Sequence, residues 1–500
     1  MIILPSTRGF PKKSSEPTAW TLTVQTTAIN QAFGMNIQNG TTYSVTIDWG
    51  DGSSPQVFTT SGIKTVTYAA IGTYTVLITG TGSCNMAVAT TNPSRLIATS
   101  AIPRTLAAGG ASCFSSTFLN CTGLTTIPEN LFWYSATPLT TAAFSWTFFG
   151  CTGLTSIPVD LFRYNTGLTT SAFTSTFFGC TGLTSIPVDL FRYNTGLTTG
   201  AFQGTFSGCT GLTSIPAALF QYNTGVTTTA FGSTFSGCTG LTSIPAALFQ
   251  YNTGVTTNAF GSTFNGCRGL TSLPIDLFRY NTAVNTSAFG STFNGCTGLA
   301  SLPTDLFRYN TGVNTNAFGS TFYGCIGLAS LPATLFQYNT GVNTNAFNNT
   351  FNSCTGLASL PTDLFRYNTG ITTTAFREAF RNCTGLTSLP TDLFRYNTGI
   401  TTTAFIGTFA GCNGLNGYAI NADLLRYNTL LSGTLTAISM FDGVTLDTVA
   451  YSNLLISLNT YLTGSSLGFG AGSSKYNSSA SAARAALVSR SWSVVDGGLE

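Results

Sequence analysis

Between Cys151 and Cys412 the apolar positions recur every 29 residues, and Cys121 opens the same pattern one residue out of phase. One unit, Cys151 to Gly179, reads CTGLTSIPVDLFRYNTGLTTSAFTSTFFG. Leu154 and Ile157 flank a short extended stretch that Pro158 ends, which predicts one strand per unit, paired with its counterpart in the next unit. Leu161, Phe162 and Tyr164 predict a helical turn closed by Asn165 and Gly167, where a left-handed residue is wanted. Ala172, Phe173 and Phe177 predict a second short helix with both rings on one face, capped by Thr170 and ended by Gly179. No single unit of this kind can bury its apolar face, whereas a stack of them can. The predicted fold is an α/β repeat solenoid with one short strand and short helices per coil.

The period fails at both ends. Residues 20–26, 43–47 and 73–79 alternate apolar and polar side chains, and Gly50-Asp51-Gly52 suits a tight reversal, so 20–92 read as a small all-β sandwich behind an arm at 1–19. Residues 93–120 carry an incomplete unit, with Phe114 and Phe118 four apart, and read as an N-terminal cap ahead of the repeats at 121–412. Within 413–500, Leu424 to Asn428 is a decayed repeat, and Val449 to Leu462 and Ala480 to Ser489 show helical spacing, so this stretch reads as an α/β cap or a tip.

Ten near-copies can be read against one another. Cys151, Cys180, Cys209 and their successors form a one-per-unit column that suits reduced core thiols. Tyr164 and Tyr193, beside Asn165 and Asn194, predict a packing spine with an amide ladder serving loop backbone. Asp160 and Arg163 stand three apart, and wherever the arginine becomes Gln221, Gln250 or Gln337 the aspartate becomes Ala218, Ala247 or Thr334. Such pairs balance charge along a column, each contributing only about 0 to 1 kcal/mol. Recognition belongs to positions that vary: Thr174-Ser175, Gln203-Gly204, Asn348-Asn349 and Arg377-Glu378 are the candidate face.

Composition narrows the function. Charged residues are 7% against 43% hydrophobic, and the net charge of +3 is spread over 500 residues, so no basic stripe is available for nucleic acid. No apolar run reaches the length of a membrane span, and the opening MIILPSTRGFPKKSSEPTAW does not have the form of a secretory leader. The sequence contains no histidine and no CxxC pair, which argues against a zinc or haem site, any cofactor and histidine-based catalysis. Asp48 and Asp51 could hold calcium, although turn chemistry explains them equally.

Two resemblances follow from these residues. TTxAFxxTFxGCTGLTSIP is similar to the BspA-like leucine-rich repeat of bacterial surface proteins and phage-borne relatives, which implies a right-handed solenoid used for adhesion. The added LFRYNTG segment departs from many of those relatives. Asp48-Trp49-Gly50-Asp51-Gly52 with Thr67-Tyr68 and Gly72 to Val76 resembles the PKD-type immunoglobulin-like module, with Thr67 where that family usually has histidine; it implies a spacer or adhesion domain. Taken together, the expectation is a virion adhesin or tail-fibre-like receptor-binding protein. It would meet a host cell-surface receptor or glycan, attach to other virion proteins through its N-terminal region, and could form a homo-oligomer through its arm. A head or tail decoration protein and a bacterial cell-surface adhesin are the alternatives. If the Asp-Arg column is charge balance alone, the purified protein should pass through a heparin column at physiological salt. Salt-dependent retention would instead reveal an anion site.

Overall fold

The computed structural model describes residues 15–38, 43–81, 85–106, 111–133, 138–432, 437 and 439–500. Residues 1–14 of the expected arm, and the oligomerisation expected of it, lie outside the described residues. The end of the arm is anchored: the Glu16 carboxylate accepts the Arg104 backbone N–H at 2.9 Å.

Alternating side chains in the first hundred residues make antiparallel strands: β1 (Trp20–Thr26), β2 (Gln31–Gln38), β3 (Ser44–Asp48), β4 (Gln56–Phe58), β5 (Gly62–Tyr68), β6 (Gly72–Thr81), β7 (Asn85–Thr91) and β8 (Leu96–Thr99). They form a five-stranded sheet ordered β4-β3-β6-β1-β8 and a three-stranded sheet ordered β5-β2-β7. Leu22, Val24, Phe33, Ile37, Ile47 and Val76 fill the shared interior. The strands expected at 20–26, 43–47 and 73–79 are β1, β3 and β6. Strand β8 falls in the stretch read as a cap, because Leu96 to Thr99 pair with β1.

The 29-residue units stack as coils, but by a different local structure from the one expected. From Ser171 to Cys180 the backbone N–H groups take two directions in turn. Those of Thr174, Thr176, Phe178 and Cys180 donate back three residues within the coil, all at 3.2 Å. Those of Ser171, Phe173, Ser175, Phe177 and Gly179 donate to Thr199, Ala201, Gln203, Thr205 and Ser207 of the next coil at 2.7 to 3.0 Å. Ser171, Ser175 and Gly179, four apart, have positive φ. The second helix is therefore a run of tight turns. A four-residue spacing still places Phe173 and Phe177 on one side, which is why the sequence imitates a helix. An α-helix would satisfy its N–H groups internally and leave nothing to hold the next coil.

The other two predicted elements are also reduced. Between Leu154 and Ile157 no strand forms, because coils here share single long bonds, such as Ala358 N to Ala329 O at 3.3 Å in a later pair, too few for a ladder. Pro158 can donate no bond. After it come three-residue turns, with Leu161, Arg163 and Asn165 N–H groups bonded to Pro158, Asp160 and Phe162 carbonyls. Gly167 is not left-handed; it is small because the Leu139 carbonyl oxygen lies 2.9 Å from where its Cβ would stand. Gly182 is tighter still, at 2.6 Å from the Thr152 carbonyl.

Side chains complete the stack. In each coil the rings of Phe162, Phe173 and Phe177 lie over their counterparts Phe191, Phe202 and Phe206, with centroids 5.6 to 6.2 Å apart. Each of these phenylalanine carbonyls accepts twice: once from the N–H three residues on, and once from a side chain of the next coil. The side-chain donors are Thr205 to Phe173 at 2.8 Å, Cys209 to Phe177 at 3.1 Å, and Asn194 to Phe162 at 3.2 Å. Backbone donors thus point toward the C-terminal end, and side-chain donors point the other way.

Both ends of the stack are covered. A bulge in the β2–β7 pairing leaves Val88 out of register, and its N–H donates to Thr117 of the first coil at 2.7 Å, while Trp20 meets Phe118 edge-on at 6.1 Å. At the far end Phe409 and Gly411 donate to Met440 and Asp442, and Phe441 donates to Gly470. Gly470 closes β9 (Gly468–Gly470), which pairs in parallel with β10 (Ser493–Val495). Helices α1 (Thr448–Tyr461) and α2 (Ser481–Ser489) lie where helical spacing was read. Asp496, 1% exposed at its side chain, takes Arg484 at 2.9 and 3.0 Å and the Tyr451 hydroxyl at 2.9 Å, fixing α1 and α2 to the last layer.

Asn252 tests the ladder. Its amide donates to Phe220 and Asn223 carbonyls at 3.2 and 3.0 Å. Replacing it by Leu should lower unfolding stability by about 1 to 3 kcal/mol, since buried acceptors lose their partner, as read from equilibrium denaturation.

Candidate recognition face

Each predicted column has a definite place. The thiols of Cys151, Cys180 and Cys209 are buried, and each donates to a phenylalanine carbonyl of the preceding coil at 3.0 to 3.1 Å. Along the column from Cys121 to Cys412 every cysteine is a free thiol, with no disulfide. Burial pushes Cys209, Cys267 and Cys325 up to about 12. Asn165 and Asn194 form the expected amide ladder, with Nδ2 bonded into the previous coil. The Oδ1 atoms of this column are buried with no partner among the described residues.

The tyrosines differ from expectation. Tyr164 and its counterparts stand at the surface, Tyr251 being 46% exposed, because the interior is already filled by three phenylalanine rings per coil. Each arginine lies between two of them. The Arg308 guanidinium is 5.7 Å from the Tyr309 ring and 5.0 Å from Tyr338 in the next coil, while it pairs with Asp305 at 3.4 Å. Asp160 and Arg163 make the tightest of the column's pairs, at 2.9 Å, under the cover of Trp133. Wherever the arginine is present, this column stacks cation between rings; at Gln221, Gln250 and Gln337 the alternation is interrupted.

Asp48 and Asp51 are engaged in turns. Asp48 accepts the Gly50 N–H at 2.9 Å, and Asp51 accepts the Ser53 N–H at 3.0 Å and its hydroxyl at 2.6 Å. The Ser53 hydroxyl holds the Asp51 carboxyl below its usual range.

The varying positions come together. Turn geometry places Thr174, Gln203, Asn348 and Arg377 in one column and Ser175, Gly204, Asn349 and Glu378 in the next, one residue per coil in each. At the N-terminal end the second column is headed by Trp146, 50% exposed, with the stacked pair Phe149 and Phe178 beside it at 4.6 Å. At the C-terminal end Glu378 pairs with Arg381 at 3.5 Å and Arg377 at 3.9 Å.

Between these ends lies a groove of about 620 Å³. It forms where the first column is Gly232, Gly261, Gly290 and Gly319, and it is closed by the larger Gln203 and Asn348. The second column there is Ser233, Ser262, Ser291 and Ser320. Of the candidate face, Gln203 and Asn348 line the groove; Thr174, Ser175, Gly204, Asn349, Arg377 and Glu378 flank it in line. Sequence reasoning missed the Gly-Ser pairs by treating constancy as scaffold. The signal was present, since AFGSTF occurs in four consecutive units and in no other.

No protein-family model matches the chain, and no curated protein matches it.

The thiol column has a consequence for pH. A buried thiol whose folded pKa is raised from 9 to about 12 contributes stability that is intact below pH 9 and is lost as pH rises toward 12. Each such thiol weakens folding by up to about 1.4 kcal/mol per pH unit in that window. Melting temperature should therefore fall steeply from pH 9 to 11, and at pH 8 the native thiols should ignore Ellman's reagent until the protein is denatured.

Proposed function

We propose that this chain is a non-enzymatic virion adhesin: a leucine-rich-type repeat solenoid, with an immunoglobulin-like module at its N-terminal end, that presents its varying face to a host-surface receptor or glycan. The observation that carries the reading is the segregation of change. Positions inside the stack are nearly uniform from coil to coil, and, apart from the coupled Asp-Arg exchange, which keeps charge balanced, the most varied positions lie in two adjacent surface columns that carry a groove along them. A scaffold selected only for stiffness has no reason to vary along one face. The resemblance to surface-adhesion repeats supports the same reading. The absence of histidine from the sequence and the engagement of acids in ion pairs and turns support a binding role over catalysis. Attachment to other virion proteins is assigned to the N-terminal region.

The test is adhesion. Purified protein, fluorescently labelled, should bind host cells saturably and compete with infection. Failure to bind, together with loss of particle stability when the protein is deleted, would favour a decoration protein instead. Electron microscopy of particles would locate it.

A further inference from the structure

We infer that the groove between Gln203 and Asn348 receives an uncharged, extended glycan chain lying along the stacking direction. The inference rests on the reading of this face as a recognition surface and names what it recognises.

Four observations select the ligand class. First, the groove crosses coils: Gln203 and Asn348 stand five repeats apart, roughly 25 Å at the spacing of stacked strands. Its chemistry repeats once per coil, which suits a polymer with a regular repeat. Secondly, no charged side chain lines it, and the nearest charges along its columns, Arg377, Glu378 and Arg381, are paired with one another. A nucleic acid or sulfated chain would find no cation to replace its counterions. Thirdly, the backbone lining is already bonded between coils: Ser233, Ser262 and Ser291 donate to Gly261, Gly290 and Gly319 at 2.8 Å. A peptide strand adding itself here would have no free edge to pair with.

Fourthly, the hydroxyls of Ser233, Ser262, Ser291 and Ser320 have no hydrogen-bond partner among the described residues, although they are half-buried. They form a row of free donors and acceptors that matches the hydroxyls of a sugar chain. Exposed Trp146 stands in the same column two coils beyond Gln203, placed to lie against the apolar face of a sugar ring.

The glycines permit a direct test. At this coil position φ is negative, and Gln203, Asn348 and Arg377 already occupy it elsewhere. A Cβ on Gly290 would meet nothing closer than 3.5 Å; on Gly261 it would press on the movable amide of Asn258. The double variant Gly261→Gln, Gly290→Gln should therefore fold and fill the groove. The full chain and this variant would be applied to a glycan array holding neutral linear glucans, mannans and galactans beside hyaluronate and heparin. We expect neutral linear glycans to bind independently of salt, with affinity rising with chain length until the groove is spanned, and at least a tenfold loss in the variant at unchanged melting temperature. A second variant, Ser262→Ala with Ser291→Ala, should weaken binding without adding bulk, and serves if the first misfolds. Absence of any neutral hit, preference for charged chains, or undiminished binding by the variants would overturn the inference. Host-cell adhesion distinguishes the two readings: wild type and variant adhering equally would sink the glycan groove while leaving the adhesin standing, whereas no adhesion by either would sink the adhesin.

Discussion

In the run of turns that ends each coil, half the backbone N–H groups have no acceptor within their own coil. That shortage organises the molecule. A run such as Ser171 to Cys180 is a stable conformation only when another run lies one coil further on to receive Phe173, Ser175, Phe177 and Gly179. An unpaired buried N–H costs about 1 to 3 kcal/mol, so a coil standing alone would lose on several counts at once. Stacking is therefore a condition of local structure and not a later assembly of finished units.

The direction of those bonds explains both ends. Because the inter-coil backbone donors of the turn runs point toward the C-terminal end, something must offer carbonyls to the last coil; Met440 and Asp442 do so, and β9 and β10 continue the ladder until α1 and α2 cover it. At the other end the first coil exposes acceptors, and a bulge in the β2–β7 pairing frees the Val88 N–H to meet Thr117. One buried apolar cluster consequently extends from Trp20 in the sheets to Trp492 beside α2.

The same bonding leaves the surface free to change. Side chains of Phe, Thr, Cys and Asn that serve the ladder point inward and are held nearly constant. Ala379, which replaces the threonine of one coil, is an exception that costs one hydroxyl bond out of many. On the outside, a substitution such as Gln203 or Gly232 alters shape without touching a ladder bond. A groove can thus be opened by four glycines and closed by one glutamine and one asparagine, with no adjustment of the coil beneath.

The sequence by itself determined the 29-residue period, the inward columns, the Asp-Arg exchange, and helices α1 and α2, because each is carried by side-chain identity at a fixed interval. It also located the varying face at Thr174-Ser175 and its counterparts. It did not determine that Ala172 to Gly179 would be turns, since Phe173 and Phe177 four apart satisfy a helix and a turn run equally; the choice belongs to the neighbouring coil, which supplies the acceptors. Nor could it place Tyr164 outside, because an aromatic column reads as core until three phenylalanines are seen to fill that volume. The groove is tertiary in the fullest sense: Gly232, Gly261, Gly290 and Gly319 are far apart in the chain, and only stacking turns four absent side chains into one continuous space.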